Sequence, residues 1–504
     1  MPWQELVKTA LLGTEHSSLS EQTQQALRVQ GIDVSKEAPL ALLEGVALYG
    51  QMRKAGFQLE NYTGELPKAV EPVGEKICSH KSSHHLHLIL SGEYGEVLPE
   101  FIEHLLKNGK YLPPEHLPVL LRRPDARNWW EKLQPALSAG GRWLLAQHPD
   151  WGKWLEVSPK IDWGTGAREE RLSLFRHLRK SSPATALNLL QSTWGEEGYR
   201  DKTAFLAEME IGLSGQDEPF LECCLDDKRK EVRQVAARLL AKMVGSHLSK
   251  RMFRRATDIL DWKAGKLTVN IPEEPDDEAI RDGIQKIHAD WKGGAKAAYL
   301  GQLVAALEPD VWSVFFEKQL PDIMGMFVRS DWAGILVKAI TEAALFHNNQ
   351  KWLDGICAYW LETAASPHWD FQGINDLAKQ VSPAAFNQIS LRILKENNQL
   401  PAVSAPVFSL FQYNKAHWDD ELGNLILSRF KNWVSTAKRQ DWESLHYKEF
   451  LKMVALRSSP VLFDVYQKGW NTESHLWAAW EKPVEEMLNT LLFRKEMIAE
   501  LSRI

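Results

Sequence analysis

Residues 231–243 read EVRQVAARLLAKM and contain the clearest structural signal in the chain. Their apolar positions recur at intervals of three and four residues, which places them on one stripe of an α-helix. Polar residues such as Arg233 and Lys242 lie off that stripe. The segment is therefore predicted to be an amphipathic helix, and the residues predicted to face the core are Val232, Val235, Ala236, Leu239, Leu240 and Met243.

The same helical period dominates the rest of the chain. Only two short segments alternate in the manner of a β-strand, residues 266–271 and, ambiguously, residues 86–90. Two such segments are too few for a sheet-based domain, so the fold class is predicted to be all-α. The other segments with a clear helical period are 101–106, 171–178, 184–190, 300–307 and 333–346.

Tryptophan recurs in the C-terminal half at Trp312, Trp332, Trp352 and Trp369, with Ser, Asp or Asn a few residues ahead, as with Ser366. Those polar residues suit the N-cap of a helix. One helix and its loop then take about 20 residues and a pair about 40, the repeat size of the HEAT and armadillo class. We predict helices that begin close to the first three tryptophans. Their indoles should be mostly buried and seal joints between helices rather than form an aromatic ligand cage.

These patterns predict a HEAT-like α-solenoid of antiparallel helix pairs with an N-terminal helical region. The acidic, proline-broken run EEPDDE at residues 273–278 indicates a boundary near residue 275, and the polar stretch 58–82 is a second weak zone. The predicted organisation is an N-terminal helical region over 1–160, HEAT-like helical repeats over 161–275 and a C-terminal helical-repeat region over 276–504.

Charge and cysteine content limit the function classes. The 504 residues contain 60 Lys and Arg against 66 Asp and Glu, a net charge of −6. This mild acidity argues against an overall electrostatic grip on nucleic acid or anionic membrane, although it leaves a local basic patch open. No signal-peptide pattern or long apolar span is present, so we expect a cytoplasmic protein that does not cross a membrane. A reducing compartment also fits the cysteines, which form no disulfide framework: Cys78, Cys223, Cys224 and Cys357.

A histidine-rich segment is the strongest metal candidate. Zinc needs four ligands arranged as a tetrahedron, and its sites usually pair two short ligand clusters. No second cluster lies nearby in the sequence. We therefore expect a solvated polar segment, with no metal and no cofactor bound, at Cys78, His80, His84, His85 and His87.

A basic segment is the strongest binding candidate. Residues 226–255 contain ten Lys or Arg against three acids, a local balance of +7. Such a patch suits nucleic acid phosphates or an acidic partner surface. The structural alternative, which we favour, is a HEAT-type ladder in which Asp227 pairs with Arg233. The excess charge at Arg251, Arg254 and Arg255, which are predicted to lie one turn apart on the next helix, is then left for binding. The candidate partner-binding residues are Arg251, Arg254, Arg255, Lys228, Arg229, Lys230 and Arg233.

Recognisable enzyme motifs are missing from the sequence. It contains no phosphate loop of the P-loop ATPases, no HExxH zinc motif and no GxSxG nucleophile elbow. The preferred hypothesis is a non-catalytic scaffold that binds a protein along its concave face. Two rivals stay open: a nucleic-acid-binding helical-repeat protein using residues 228–255, and an enzyme whose site is assembled from distant residues.

Several separated stretches also form a family-like combination. They are TALLGT at 9–14, LPPEHLP at 112–118, GRWLLAQHPDW at 141–151, DEPFLE at 217–222 and VRQVAA at 232–237.

Together with 168–171, 281–284 and 294–300, these stretches resemble the DUF5691 family of uncharacterised bacterial proteins, over most of the chain to about residue 315. Genes of that family often lie beside those for a MoxR-type AAA ATPase, a von Willebrand factor A protein and a SWIM zinc-finger protein. The resemblance implies a helical-repeat component of a multi-protein, ATPase-linked system, with the ATPase or the von Willebrand factor A protein as partner. It implies no activity and no metal site.

Overall fold

The computed structural model is largely helical. It describes residues 2–35, 37–56, 68, 70, 76–148, 150–155, 163–164, 166–263, 265–286, 288, 290–291, 293–363, 369, 373–397, 400–402, 404–437 and 442–503. Helix accounts for 69% of these residues and strand for 3%, which confirms the all-α prediction.

The chain divides into two compact units, residues 1–69 and 70–504. The boundaries predicted near residues 160 and 275 stay predictions, and the first of them falls at 156–162, outside the described residues.

In its described residues the first unit contains three helices. Leu6, Leu27, Ile32 and Leu42 form its core. The side chain of Ser20 accepts a hydrogen bond from the backbone N–H of Thr23 and so caps the second helix. The helices are α1 (Pro2–Leu12), α2 (Glu21–Val29) and α3 (Ala38–Ala55).

The second unit contains the remaining helices and one short β-hairpin. Its first helices are α4 (His80–Leu90), α5 (Leu98–Lys107), α6 (Leu117–Leu121), α7 (Ala126–Leu133), α8 (Ala139–Gln147), α9 (Gly152–Leu155), α10 (Arg168–Ser181), α11 (Pro183–Thr193), α12 (Tyr199–Glu208), α13 (Glu218–Cys224), α14 (Lys230–Lys242) and α15 (His247–Ile259). The hairpin strands β1 (Leu260–Lys263) and β2 (Lys266–Val269) follow.

The helices after the hairpin are α16 (Asp277–Arg281), α17 (Ala295–Ala305), α18 (Asp310–Phe316), α19 (Leu320–Val328), α20 (Ala333–His347), α21 (Gln350–Glu362), α22 (Gly373–Gln380), α23 (Pro383–Glu396), α24 (Pro406–Tyr413), α25 (Asp420–Thr436), α26 (Trp442–Arg457), α27 (Phe463–Tyr466) and α28 (Trp477–Leu501). Short 3₁₀ helices lie at Gly95–Val97, Pro114–His116, Gln134–Ala136 and Pro460–Leu462.

The two strand-like segments have different outcomes. Residues 266–271 contribute β2, which pairs antiparallel with β1 in the register Leu260 to Val269. Residues 86–90 are helical and form the end of α4, because Leu86 and Ile89 share one buried helical face. The ambiguous prediction of a strand at residues 86–90 is therefore wrong.

Helix α14 confirms the amphipathic helix that was predicted from the apolar period of residues 231–243. Val232, Ala236, Leu239 and Leu240 are buried in the core of the second unit, and Val235 packs against that core half-buried. Each methylene removed from water at such positions contributes roughly 0.8 kcal/mol.

The tryptophan pattern largely holds. Trp312 and Trp352 lie in the first turns of α18 and α21 and are fully buried. Trp332 instead occupies the N-cap position of α20 and is only half-buried. Asn349 caps α21 by accepting a hydrogen bond from the backbone of Trp352 at 3.1 Å. The cap proposed for Trp369, Ser366, lies outside the described residues.

Many helices of the second unit pack in rows, in which each helix contacts the next helix of its row. One row joins α10, α12 and α14, another joins α17, α20, α22 and α24, and a third joins α19, α21, α23 and α25. The last helix, α28, packs against α4 and α5, so the start and the end of the unit share a core. There the buried guanidinium of Arg494 donates to Glu100 at 2.6 and 2.7 Å.

Candidate interaction surface around helix α14

Two candidate arginines of α15 are held in internal ion pairs. Arg251 Nε and Nη2 donate to Asp282 Oδ2 and Oδ1 at 2.8 and 2.7 Å, and Arg255 Nη1 donates to Asp282 Oδ2 at 2.6 Å. Arg251 Nη2 also donates to Glu222 at 3.1 Å. The Asp282 side chain is only 1% exposed. Arg251 and Arg255 therefore hold the fold together at this point, and their hydrogen bonds to Asp282 occupy most of their charge.

Electrostatics keep this cluster ionised. Burial alone would raise the pKa of Asp282, but hydrogen bonds from Arg251 and Arg255 outweigh burial and lower it. The hydrogen bond to Asp282 raises the pKa of Arg251. Asp282 lies in a tight turn before Gly283, whose φ of +98° suits glycine. The role of Asp282 as a shared acceptor could not be predicted, because its partners lie about 30 residues away on another helix.

The third arginine of the group has a different environment. Arg254 is exposed, and no ion pair of its side chain occurs within the described part of the chain. The three arginines share α15, as predicted. Of the three, Arg254 alone lies outside the ion pairs to Asp282 within the described residues.

The predicted Asp227–Arg233 pair takes another form. The carboxylate of Asp227 pairs with Lys202 of α12 at 3.0 Å, whereas Arg233 Nη1 donates to the backbone carbonyl of Asp227 at 2.8 Å. A similar step joins Arg168 of α10 to Asp201 of α12 at 2.7 Å. A cation of α10 thus pairs with an acid of α12, and a cation of α12 pairs with Asp227, which lies just before α14.

Several cations lie close together at the start of α14. Lys228, Arg229 and Lys230 are exposed and form no ion pair among the described residues. The guanidinium of Arg229 lies 5.1 Å from the ring centre of Tyr199, and that of Arg200 lies 5.8 Å from the same ring. The start of α14 therefore presents uncompensated positive charge beside an accessible aromatic ring.

A pocket of about 390 Å³ opens next to these cations. Among the described residues no carboxylate lines it. Its lining residues are Lys230, Arg233, Gln234, Ile280, Gly283, Ile284, Gln285 and Lys286. We call it the cationic pocket.

A second pocket of about 350 Å³ adjoins the first and shares Gln234 and the segment 283–285 with it. Its walls include the rings of Trp291 and Phe346 and the acids Asp282, Asp290 and Glu342. Arg238 lies 5.7 Å from the ring centre of Phe346. We call it the aromatic pocket.

One acid of the aromatic pocket is perturbed. Burial raises the pKa of Glu342, although Lys338 lies 3.6 Å away and partly opposes the shift. Lys338 Nζ also lies 4.7 Å from the ring centre of Trp291. Glu342, which lines the aromatic pocket, thus pairs with Lys338 beside the ring of Trp291.

The histidine-rich segment forms the start of α4. His80, His84 and His87 are exposed on it, and His85 packs edge-on against Phe493 at 5.2 Å. Burial raises the pKa of the Cys78 thiol to about 11, which disfavours the thiolate that zinc requires. No group of three or more metal-ligating side chains converges in the described part of the molecule. The absence of zinc here stays a prediction.

A sequence profile described as a family of unknown function, DUF5691, matches residues 5–501. The chain belongs to the DUF5691 family. The resemblance that was expected to weaken after residue 315 thus extends through the C-terminal helices. Comparison with curated proteins and with solved structures gives no match.

DUF5691 membership assigns no role to any residue, so the surface around α14 stands on its own geometry. All four cysteines are unpaired thiols, and Cys223 is the exposed one. None of the described helices combines the length and apolar character needed to cross a membrane.

Proposed function

We propose that the protein is a non-catalytic interaction scaffold or adaptor that binds a protein partner at the start of α14. We further propose that its helix rows form a HEAT-like α-solenoid of antiparallel pairs. Contacts between alternate helices, such as α10 with α12 and α12 with α14, support this arrangement because stacked repeats contact mainly their neighbours.

The uncompensated charge at the start of α14 carries the proposal. Elsewhere in the basic segment Lys242, Arg251 and Arg255 are paired with acids from other parts of the chain. Lys228, Arg229 and Lys230 meet none in the described part of the chain. Clustered exposed charge of one sign attracts a complementary surface and sets binding orientation.

The partner we propose is a component of an ATPase-linked system in the cytoplasm. The basis is the family's association with MoxR-type AAA ATPases and von Willebrand factor A proteins. Either protein would need an acidic surface to match the start of α14.

Affinity capture from the native host tests this proposal. The variant Lys228→Glu/Lys230→Glu should lose the captured partner, because it reverses two exposed cations without breaking an ion pair of the described structure. The matched control Lys250→Glu/Arg254→Glu makes the same change of charge on α15 and should retain it. Equal capture by the wild type and both variants would contradict a docking surface at α14.

One observation favours the nucleic-acid alternative. The ring of Tyr199 is 39% exposed, and the guanidinium groups of Arg200 and Arg229 lie close to it. Exposed aromatic rings among cations are typical of single-strand binding. A mobility-shift titration tests this alternative. If the protein binds nucleic acid, the logarithm of its affinity should fall steeply with the logarithm of the salt concentration, and that slope should decrease by about one for each phosphate contact removed. We expect no shift at physiological ionic strength.

A further inference from the structure

Three cations converge on the cationic pocket from two directions. Lys230 and Arg233 project from the first turn of α14, and Lys286 projects from the segment after α16. The other polar side chains that line the pocket are the amides of Gln234 and Gln285. Such a lining suits an anion, because every charged side chain among the described lining residues is a cation.

Most of this charge is available to a ligand. Lys230 forms no ion pair among the described residues. Arg233 donates one hydrogen bond to the backbone carbonyl of Asp227, and its other N–H groups remain available to a ligand. Lys286 pairs with Glu274 at 2.6 Å, but both side chains are more than half exposed. Surface pairs of this kind are weak, so an anion in the pocket can compete for Lys286.

The neighbouring acids do not neutralise the pocket. Glu231 is exposed on α14 and does not line the cavity. Asp282 lies beyond Gly283, and Arg251 and Arg255 occupy its oxygens. The internal ion pairs of α15 therefore keep the nearest buried carboxylate from closing onto Arg233.

The aromatic pocket continues the cavity in one direction. The two pockets share Gly283, where an added Cβ would lie only 2.6 Å from the Cβ of Ala237. Beyond that point the walls include the apolar side chains of Leu248, Met252 and Phe346. A ligand that fills both pockets can place an anionic group against the cations and an adjacent apolar group against these apolar side chains.

We propose that the two pockets bind a short acidic segment of a partner protein. Its carboxylate or phosphate group contacts Lys230, Arg233 and Lys286, and an adjacent apolar side chain enters the aromatic pocket. Arginine and lysine together suit this role because arginine can bind two anionic oxygens at once while lysine supplies point charge. This inference rests on the proposed scaffold function and specifies the partner's chemistry at the same surface.

An oriented peptide library tests the inference with the full-length protein. Seven-residue peptides carry a fixed central glutamate, phosphoserine or glutamine and are randomised elsewhere. We expect selection from the glutamate or phosphoserine pool but not from the glutamine pool, with apolar residues enriched beside the fixed position. The first two pools distinguish a carboxylate ligand from a phosphate ligand.

Variants then locate the site. For the best selected peptide, Lys230→Gln/Lys286→Gln should weaken binding at least tenfold, while the matched control Lys250→Gln/Arg254→Gln leaves it unchanged. Far-ultraviolet circular dichroism should show the same helix content for both variants. Equal selection from the glutamine pool, no selection from any pool, or unchanged affinity in Lys230→Gln/Lys286→Gln would overturn the inference.

Two further outcomes separate this inference from the broader proposal. Tighter binding of a 20-nucleotide single strand than of any selected peptide, lost in Lys230→Gln/Lys286→Gln, would overturn it in favour of nucleic acid. If Lys228→Glu/Lys230→Glu loses the host partner but the wild type selects no peptide from the glutamate or phosphoserine pool, the acidic-segment inference alone is refuted. The scaffold proposal is then still supported.

Discussion

The guanidinium of Arg251 donates to both carboxylate oxygens of Asp282, at 2.8 and 2.7 Å. This pair explains why the basic segment does not act as one surface. From the sequence, reversing Arg251, Arg254 and Arg255 to glutamate would be expected to remove a binding patch and leave the fold intact. With Asp282 and Glu222 already beside Arg251, the same reversal would bring several carboxylates together and destabilise the fold.

Replacing Asp282 by asparagine should lower the free energy of unfolding by about 3 kcal/mol. That is the lower end for breaking a buried ion pair, because Arg251 stays partly in contact with water. Urea unfolding followed by circular dichroism measures it. The control Asp226→Asn breaks an exposed pair with Arg281 and should cost under about 1 kcal/mol. Equal losses in the two variants would show that burial of the pair is unimportant.

The effect of Asp282→Asn should depend on pH. The pKa of Asp282 is lowered in the folded protein, so its contribution is present above the unfolded pKa of about 3.9 and is lost as the pH falls further. The difference in unfolding free energy between wild type and variant should be full at pH 7 and shrink below about pH 4. A difference that stays constant down to pH 3 would refute the assignment of charge to Asp282.

Glu342 should show the opposite dependence. Burial raises its pKa, so its contribution to stability is present below the unfolded pKa of about 4.3 and is lost as the pH rises through the folded value. The variant Glu342→Gln should therefore melt at a higher temperature than the wild type at pH 7 and at the same temperature near pH 4. Calorimetric scans at both pH values measure this, and a lower melting temperature at pH 7 would show that the pair with Lys338 outweighs burial.

Gly301 should be intolerant of a side chain. A Cβ at this position would lie 2.4 Å from the ring of Trp291, which is buried against α17 and lines the aromatic pocket. We expect Gly301→Ala to cost about 1–3 kcal/mol through overpacking. Gly334 in α20 meets nothing within 4 Å, and Gly334→Ala should instead gain about 0.4–1 kcal/mol. Thermal unfolding of both variants measures these changes. An unchanged stability of Gly301→Ala would mean that the ring of Trp291 does not pack against Gly301 of α17.

Sequence reasoning succeeded where the signal is local. The period of residues 231–243 predicted α14, and the spacing of Trp312 and Trp352 predicted the first turns of α18 and α21. Both rest on side chains that share one helix face or one cap, within a few residues of each other.

The candidate surface depends on contacts that local patterns do not encode. Lys202 and Asp227 are 25 residues apart, and Arg494 and Glu100 are 394 residues apart. Periodicity shows which face of a helix is buried but not which helix packs there. The sequence therefore indicated a basic segment, while the division into compensated and uncompensated cations required the tertiary structure.

The central claim is that a partner contacts the start of α14. Site-specific photo-crosslinking in the native host tests it most directly, with a photoreactive residue placed at Arg229 or, as a matched exposed position on α15, at Lys250. We predict a discrete crosslinked protein from position 229, with an acidic segment identified by mass spectrometry, and none from position 250. Crosslinks from position 250 alone, or from neither position, would contradict the account.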